Sequence, residues 1–153
     1  MHPIEARLAK LGVTLPDAPA PAANYVPFVI TGNLVHISGQ ISQNEHGLIK
    51  GRLGEDLAVE QGAEAAKWCA ISLLAQLKKA CDGDFDRLSR AIKLVGFVNS
   101  TSGFVDQPKV INGASDLLVA VLGDAGRHAR SAVSAVSLPL GVAVEIEAIF
   151  ELK

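Results

Sequence analysis

Aromatic side chains are scarce in this chain, with one tryptophan, one tyrosine and five phenylalanines among 153 residues. Proteins that hold single-stranded nucleic acid stack bases on such rings and follow the phosphates with basic residues. A formal net charge of −2 offers no global attraction to phosphate either, so nucleic acid is disfavoured as a partner. Cysteine is equally thin. Cys69 and Cys81 form no CxxC pair and no metal-ligand spacing with the histidines. No metal is therefore expected, and both read as free, buried or half-buried thiols without a catalytic part. No apolar run is long enough to span a bilayer, and Glu5, Arg7 and Lys10 interrupt the N-terminus where a signal core would lie. A cytoplasmic protein with no membrane partner is the expectation. GxGxxG, P-loop, HExxH and GxSxG patterns are absent, which argues against nucleotide, zinc-protease and serine-hydrolase chemistry. No cofactor is expected.

What the chain does have is apolar surface. Hydrophobic residues make up 49% of it, and the mean hydropathy is +0.30. A single domain of this length buries about two thirds of its extended-chain surface, and oligomerisation is a natural outlet for the surplus. Residues 3–11 predict a short amphipathic helix stopped by Gly12, followed by a Pro/Ala connector over 14–24. Two strands, Phe28–Thr31 and Leu34–Ser38, turn about Gly32-Asn33, and a third short strand is predicted at Leu48–Gly51. Asp56 is the candidate N-cap of a long helix over Val59–Ala80. A strand over Arg90–Ser100 leads to a second helix over Gln107–Leu122, and Arg127 and His128 read as surface loop, close enough in sequence to Arg130 to shape the entrance of a site there. The order β-β-β-α-β-α-β-β predicts an α+β domain over 1–153 with both main helices on one face of a mixed sheet. Residues 1–23 form an N-terminal extension to it.

The last stretch carries the chemistry. Two β-rich runs, 129–137 and 142–151, flank a Leu138-Pro139-Leu140-Gly141 break that reads as a short turn. Alternation puts Arg130, Ala132 and Ser134 on one face of the first run, and Glu145, Glu147, Ile149 and Glu151 on one face of the second. If the two strands pair, a guanidinium and two carboxylates share a face lined by small residues. A planar guanidinium clamps a carboxylate, and a carboxylate holds a water, so together they make a plausible catalytic pair. Spacing alone favours the plainer reading, an ion pair on a solvated sheet face.

The ordered set Ala-Arg-Ser-Ala-Val at 129–133, Leu-Pro at 138–139 and Val-Glu-Ile-Glu-Ala-Ile at 144–149 resembles the C-terminal signature of the YjgF/YER057c/UK114, or Rid, family. Gly32-Asn33-Leu34-Val35-His36-Ile37-Ser38-Gly39-Gln40 resembles its upstream signature, and the likeness runs over roughly 24–152 in the family's order. That resemblance implies a chorismate-mutase-like fold, a homotrimer with clefts between subunits, and hydrolysis of 2-imino or enamine carboxylates to 2-keto acids and ammonia. It implies Arg130 as the clamp on a small carboxylate substrate and Glu145 as the residue that orients or deprotonates water. Tyr25, Gly39, Asn112 and Ala132 become substrate-binding positions. Ala132 stands where the family often has cysteine, so any role there falls to the main chain. Two other readings stay open: a non-catalytic carboxylate-binding or regulatory trimer, and, ranked below both, an endoribonuclease.

Overall fold

The computed structural model describes residues 1–21 and 23–153; Ala22, within the predicted connector, lies outside the described residues. Helix α1 spans Pro3–Lys10 and buries Ile4 and Leu8. Arg7 Nη1 donates to the Val121 carbonyl at 2.9 Å, and Glu5 pairs with Lys78. With Val13, the two α1 residues join the same hydrophobic cluster as the sheet and the long helices. The extension is therefore packed onto the rest of the fold.

Strands β1 (Phe28–Thr31) and β2 (Leu34–Ile41) form the expected hairpin, with Gly32 at φ +59° in the turn. A two-stranded hairpin of β3 (Gln43–Asn44) and β4 (Gly47–Leu48) replaces the strand predicted at Leu48–Gly51. Helix α2 covers Val59–Ala80 and helix α3 covers Gln107–Leu122. Asp56 does not cap α2. Its carboxylate accepts the Arg52 N–H at 2.6 Å, and Gln61 Oε1 closes the helix start by accepting the Ala58 N–H at 2.8 Å. Between the helices runs β5 (Leu88–Asn99), and after α3 come β6 (Ala129–Ala135) and β7 (Val144–Leu152).

The five long strands lie in the order β1-β2-β7-β5-β6, antiparallel except for the parallel β5–β6 pair that α3 bridges. The fold is the expected α+β type. Val35, Ile37, Leu94, Val98, Val144, Ile146, Ala148 and Phe150 face the helices and are buried. The opposite face carries His36, Lys93, Val95, Phe97, Val133, Glu145 and Glu147, all exposed or half-exposed.

One topological expectation fails. β6 and β7 are consecutive in sequence, yet β5 lies between them. The Leu-Pro-Leu-Gly break is no tight hairpin: Leu140 and Gly141 both take positive φ, and the next residues are caught elsewhere. Ala143 donates to the Ile49 carbonyl and accepts from the Asn99 N–H, both at 2.9 Å, which carries the chain across the end of β5 to its far side.

The α2–α3 crossing rests on Gly113, where a Cβ would stand 1.9 Å from the Ala63 carbonyl oxygen. Backbone cannot yield as a side-chain tip can, so Gly113→Ala is expected to cost about 1–3 kcal/mol or more. Thermal melting should show a midpoint several degrees lower. An unchanged midpoint would mean the helices do not approach this closely. Among the described residues, no helix is long and apolar enough to cross a membrane.

Candidate active site

Two half-sites emerge where one was expected. The first is built on β6. Arg130 is paired in register with Leu94, which is paired with Ala148, and both of those are buried under the helices. Residues opposite one another on neighbouring strands share a face, so Arg130 turns toward α3. Its Nη1 donates to Asn112 Oδ1 at 2.8 Å and Ser115 Oγ at 3.1 Å, and its Nη2 donates to the Pro108 carbonyl at 3.3 Å. All three acceptors are neutral. No carboxylate among the described residues lies within ion-pair distance of Arg130. Three of five donors are occupied, which leaves Nε–H and one Nη2–H for a ligand.

Ser115 in turn meets His128 Nε2 at 2.9 Å, and His128 Nδ1 lies 2.6 Å from the Gly126 carbonyl. Ala132, two residues beyond Arg130, is half-buried against the core on the same strand face. Ser100 N–H donates to the Ala135 carbonyl, so odd-numbered residues of β6 turn their peptide groups toward β5. By alternation the even-numbered ones, Ala132 included, turn theirs to the open edge of the sheet. An alanine there loses nothing that a main-chain contact would need.

The second half-site lies on β7 and β2. Glu145 pairs with Phe97 on one side and Ile41 on the other, on the sheet face away from the helices. The β2–β7 register slips between Ile37 and Gln40, and Gly39 falls in that irregular stretch. A Cβ on Gly39 would stand 2.6 Å from Glu145 Oε2, so only glycine lets the carboxylate lie where it does. No described residue hydrogen-bonds or ion-pairs that carboxylate. Burial, and secondarily the charge of Glu147, raise the Glu145 pKa above its ordinary 4.5. A cleft of about 610 Å³ opens in front of it, lined by Pro19, Pro21, Tyr25, Gly39, Leu140 and Glu145 among others.

The wall of that cleft made by the connector is tethered from the core. Gln76, fully buried on α2, donates through Nε2 to the Pro19 carbonyl at 2.7 Å, and Gln40 Oε1 lies 3.4 Å away. Both thiols are free and buried. Cys69 is buried and its pKa is pushed well up by desolvation, with the Glu145 charge adding to it. Cys81 is likewise buried and raised.

Of the predicted site residues, the structure unites Arg130 with Asn112, and Glu145 with Gly39 and Tyr25 around one cleft. It does not place Arg130 and Glu145 on a common face, either as a catalytic pair or as a surface ion pair. They sit two strands apart, about 10 Å, and three residues apart along the strands, about another 10 Å, on opposite faces of the sheet. Sequence reading missed Ser115 and Gln76, and gave His128 a place at the site entrance but no partner. Each had a signal: Ser115 is one helical turn from Asn112, His128 precedes Arg130 by two, and Gln76 is a polar residue inside the apolar run of α2.

Residues 5–152 match the family described as "YjgF/chorismate mutase-like, putative endoribonuclease". The chain belongs to this YjgF/Rid family. It is 47% identical over 151 residues to Protein TCP17 of Trypanosoma cruzi, covering 97% of this chain and 94% of that protein. The solved structure of Atu1372 from Agrobacterium tumefaciens is 49% identical with a TM-score of 0.93, covering 99% of this chain and 93% of that one. RidA from an Antarctic Psychrobacter is more distant, at 28% identity and a TM-score of 0.60, covering 88% and 94% of the two chains.

Proposed function

We propose that the protein hydrolyses small 2-imino or enamine carboxylates to 2-keto acids and ammonia in clefts shared by two subunits of a homotrimer. The observation that carries this reading is the uncompensated Arg130 guanidinium, held on neutral acceptors with two donors left over. A substrate carboxylate supplies the missing charge and is oriented by the fork. Hydrolysis then needs a water placed on the iminium carbon. Glu145 takes a proton from that water as its oxygen bonds to carbon. The resulting carbinolamine gains that proton on nitrogen and expels ammonia, while its hydroxyl proton passes to the regenerated Glu145 carboxylate and on to the departing ammonia, leaving the carbonyl and ammonium. A raised pKa brings Glu145 closer to neutrality, where a base works best.

Because Arg130 and Glu145 lie too far apart to act on one small substrate within a chain, the reading requires them from neighbouring subunits. The open edge of β6 and the uncovered sheet face are the surfaces available for that contact, and the apolar surplus favours it. Mixing the inactive variants Arg130→Ala and Glu145→Gln, with exchange verified by two affinity tags, tests the arrangement. In randomly mixed rings about one cleft in four receives both intact residues, so about a quarter of wild-type activity should return. Activity that stays at the level of the two parents would remove the shared cleft. Light scattering should give about three chain masses, and a stable monomer would remove it too.

A second reading, a carboxylate-binding trimer without turnover, is favoured by one observation. The Arg130 half-site is complete within one chain and owes nothing to Glu145. An endoribonuclease ranks below both, since neither half-site gathers the aromatic and basic residues that hold RNA.

A further inference from the structure

We propose that Ser115 and His128 are positioning residues for Arg130, forming with the Gly126 carbonyl a one-way hydrogen-bond chain that fixes the guanidinium without neutralising it. The inference rests on the reading of Arg130 as a carboxylate clamp. It starts from the two ends of the chain, whose roles are not adjustable. A carbonyl only accepts, so the contact between His128 Nδ1 and Gly126 O at 2.6 Å places the ring hydrogen on Nδ1. A guanidinium only donates, so Ser115 Oγ must accept from Arg130 Nη1 at 3.1 Å. Between them, the neutral imidazole with hydrogen on Nδ1 presents a bare Nε2, and the Ser115 hydroxyl donates to it across 2.9 Å. Every link then has one donor and one acceptor. The other tautomer would break the Gly126 contact, and any hydrogen on Nε2 would turn the Ser115 contact around and release the hydroxyl hydrogen.

The placement follows from local structure. Asn112 and Ser115 stand one turn apart on α3 and present two acceptors to the same guanidinium nitrogen. His128, two residues before Arg130 in extended chain, reaches the same side and ties Ser115 to the turn that follows α3. A carboxylate in place of Ser115 would grip Arg130 more strongly, but it would also cancel the charge a ligand needs. A neutral hydroxyl whose hydrogen is committed to His128 gives orientation and leaves the charge free.

The first measurement needs no ligand. Imidazole 15N spectra of the wild-type protein should show His128 protonated at Nδ1 and bare at Nε2, and hydrogen on Nε2, in either the opposite tautomer or the doubly protonated ring, would overturn the proposal. The second is affinity for 2-oxobutanoate by calorimetry, read beside melting temperature. Ser115→Ala and His128→Phe should each weaken binding about tenfold, the scale of one hydrogen bond to a charged group. Because the two residues act in series, the double variant should be no weaker than either single one. Ser115→Thr keeps the hydroxyl and should recover most of the loss. Ser115→Asp should hold the melting temperature yet lose binding about as fully as Arg130→Ala. Additive losses that track melting temperature would leave Ser115 and His128 as mere packing and overturn the proposal. If Arg130→Ala abolishes binding while Ser115→Ala and His128→Phe bind like wild type, the chain alone fails. If Arg130→Ala itself binds like wild type, the clamp fails and the chain with it.

Discussion

Arg130→Ala is expected to lose 2-keto and 2-imino carboxylates by roughly thirtyfold to several thousandfold, about 2–5 kcal/mol, with little change in melting temperature. The size follows from burial and from what remains after truncation. Arg130 is half-buried beside α3 and no carboxylate among the described residues lies within ion-pair distance of it, so a ligand anion would be the partner of its charge. Removing it strands a ligand carboxylate in a cleft with only dipoles for company. Arg130→Lys separates charge from shape. A lysine keeps the cation but presents a single point of donation, and it cannot bond Asn112, Ser115 and Pro108 while reaching a ligand. Affinity should fall less than in Arg130→Ala, while turnover falls more than affinity does, because orientation is lost.

A purely structural Arg130 predicts the reverse pattern. Its bonds to Asn112, Ser115 and Pro108 would then serve to pin β6 to α3, and the alanine variant would melt earlier with ligand affinity intact. Measuring melting, 2-oxobutanoate affinity and hydrolysis of freshly generated 2-iminobutanoate on the three proteins separates the cases. Wild-type affinity and turnover in Arg130→Ala would discard the site.

Much of the architecture was legible because it is periodic. Ala66, Cys69, Ala70, Leu73 and Leu77 repeat at helical spacing and are fully buried on α2. Val144, Ile146, Ala148 and Phe150 alternate with Glu145, Glu147 and Ile149, and β7 buries the first set as alternation demands. Gly32-Asn33 announced the first hairpin by its turn chemistry. Strand order was not legible in the same way. Alternation says which side chains share a face of one strand; it is silent on which strand lies alongside. β6 and β7 were read as neighbours because they are consecutive, and the insertion of β5 between them depends on contacts to Ile49 and Asn99, both distant along the chain.

The site was legible residue by residue and illegible as an arrangement. The family signature pointed to Arg130, Asn112, Glu145 and Gly39, and the Arg130–Asn112 and Glu145–Gly39 pairs are in contact. What no local pattern conveys is that these are two half-sites on opposite faces of one sheet. The cleft proposed between subunits would be a property of symmetry, and one copy of a sequence does not state its neighbours. Gln76 was passed over for a related reason. A polar residue in an apolar helix run reads as an interruption until its partner, the Pro19 carbonyl on the connector, comes into view.

Glu145→Gln is the prediction in which stability and function move in different directions. Burial and the neighbouring Glu147 raise the carboxyl pKa in the folded chain above 4.5. The folded state therefore binds this proton more tightly than the unfolded state does. Stability associated with Glu145 is greatest when the group is protonated, falls as pH rises from the unfolded toward the folded pKa, and stays low above it. At neutral pH the ionised carboxylate is a liability to the fold. Glutamine preserves the shape over Gly39 without the charge, so the variant should melt at the same temperature as wild type or higher. Turnover should fall by about a hundredfold or more, because the group that accepts the water proton is gone. Carboxylate affinity at Arg130 should be largely kept, since the shared cleft keeps the guanidinium and loses only a charge of the ligand's own sign. In the wild type, kcat/KM should decline on the acid side as pH drops through the raised Glu145 pKa, and that limb should vanish in the glutamine variant. Wild-type turnover with the acid limb intact would pass the role to Glu147 or end the water-activation reading. Loss of turnover together with a lower melting temperature would make Glu145 a structural carboxylate, which its position over Gly39 with no ion-pair partner among the described residues argues against.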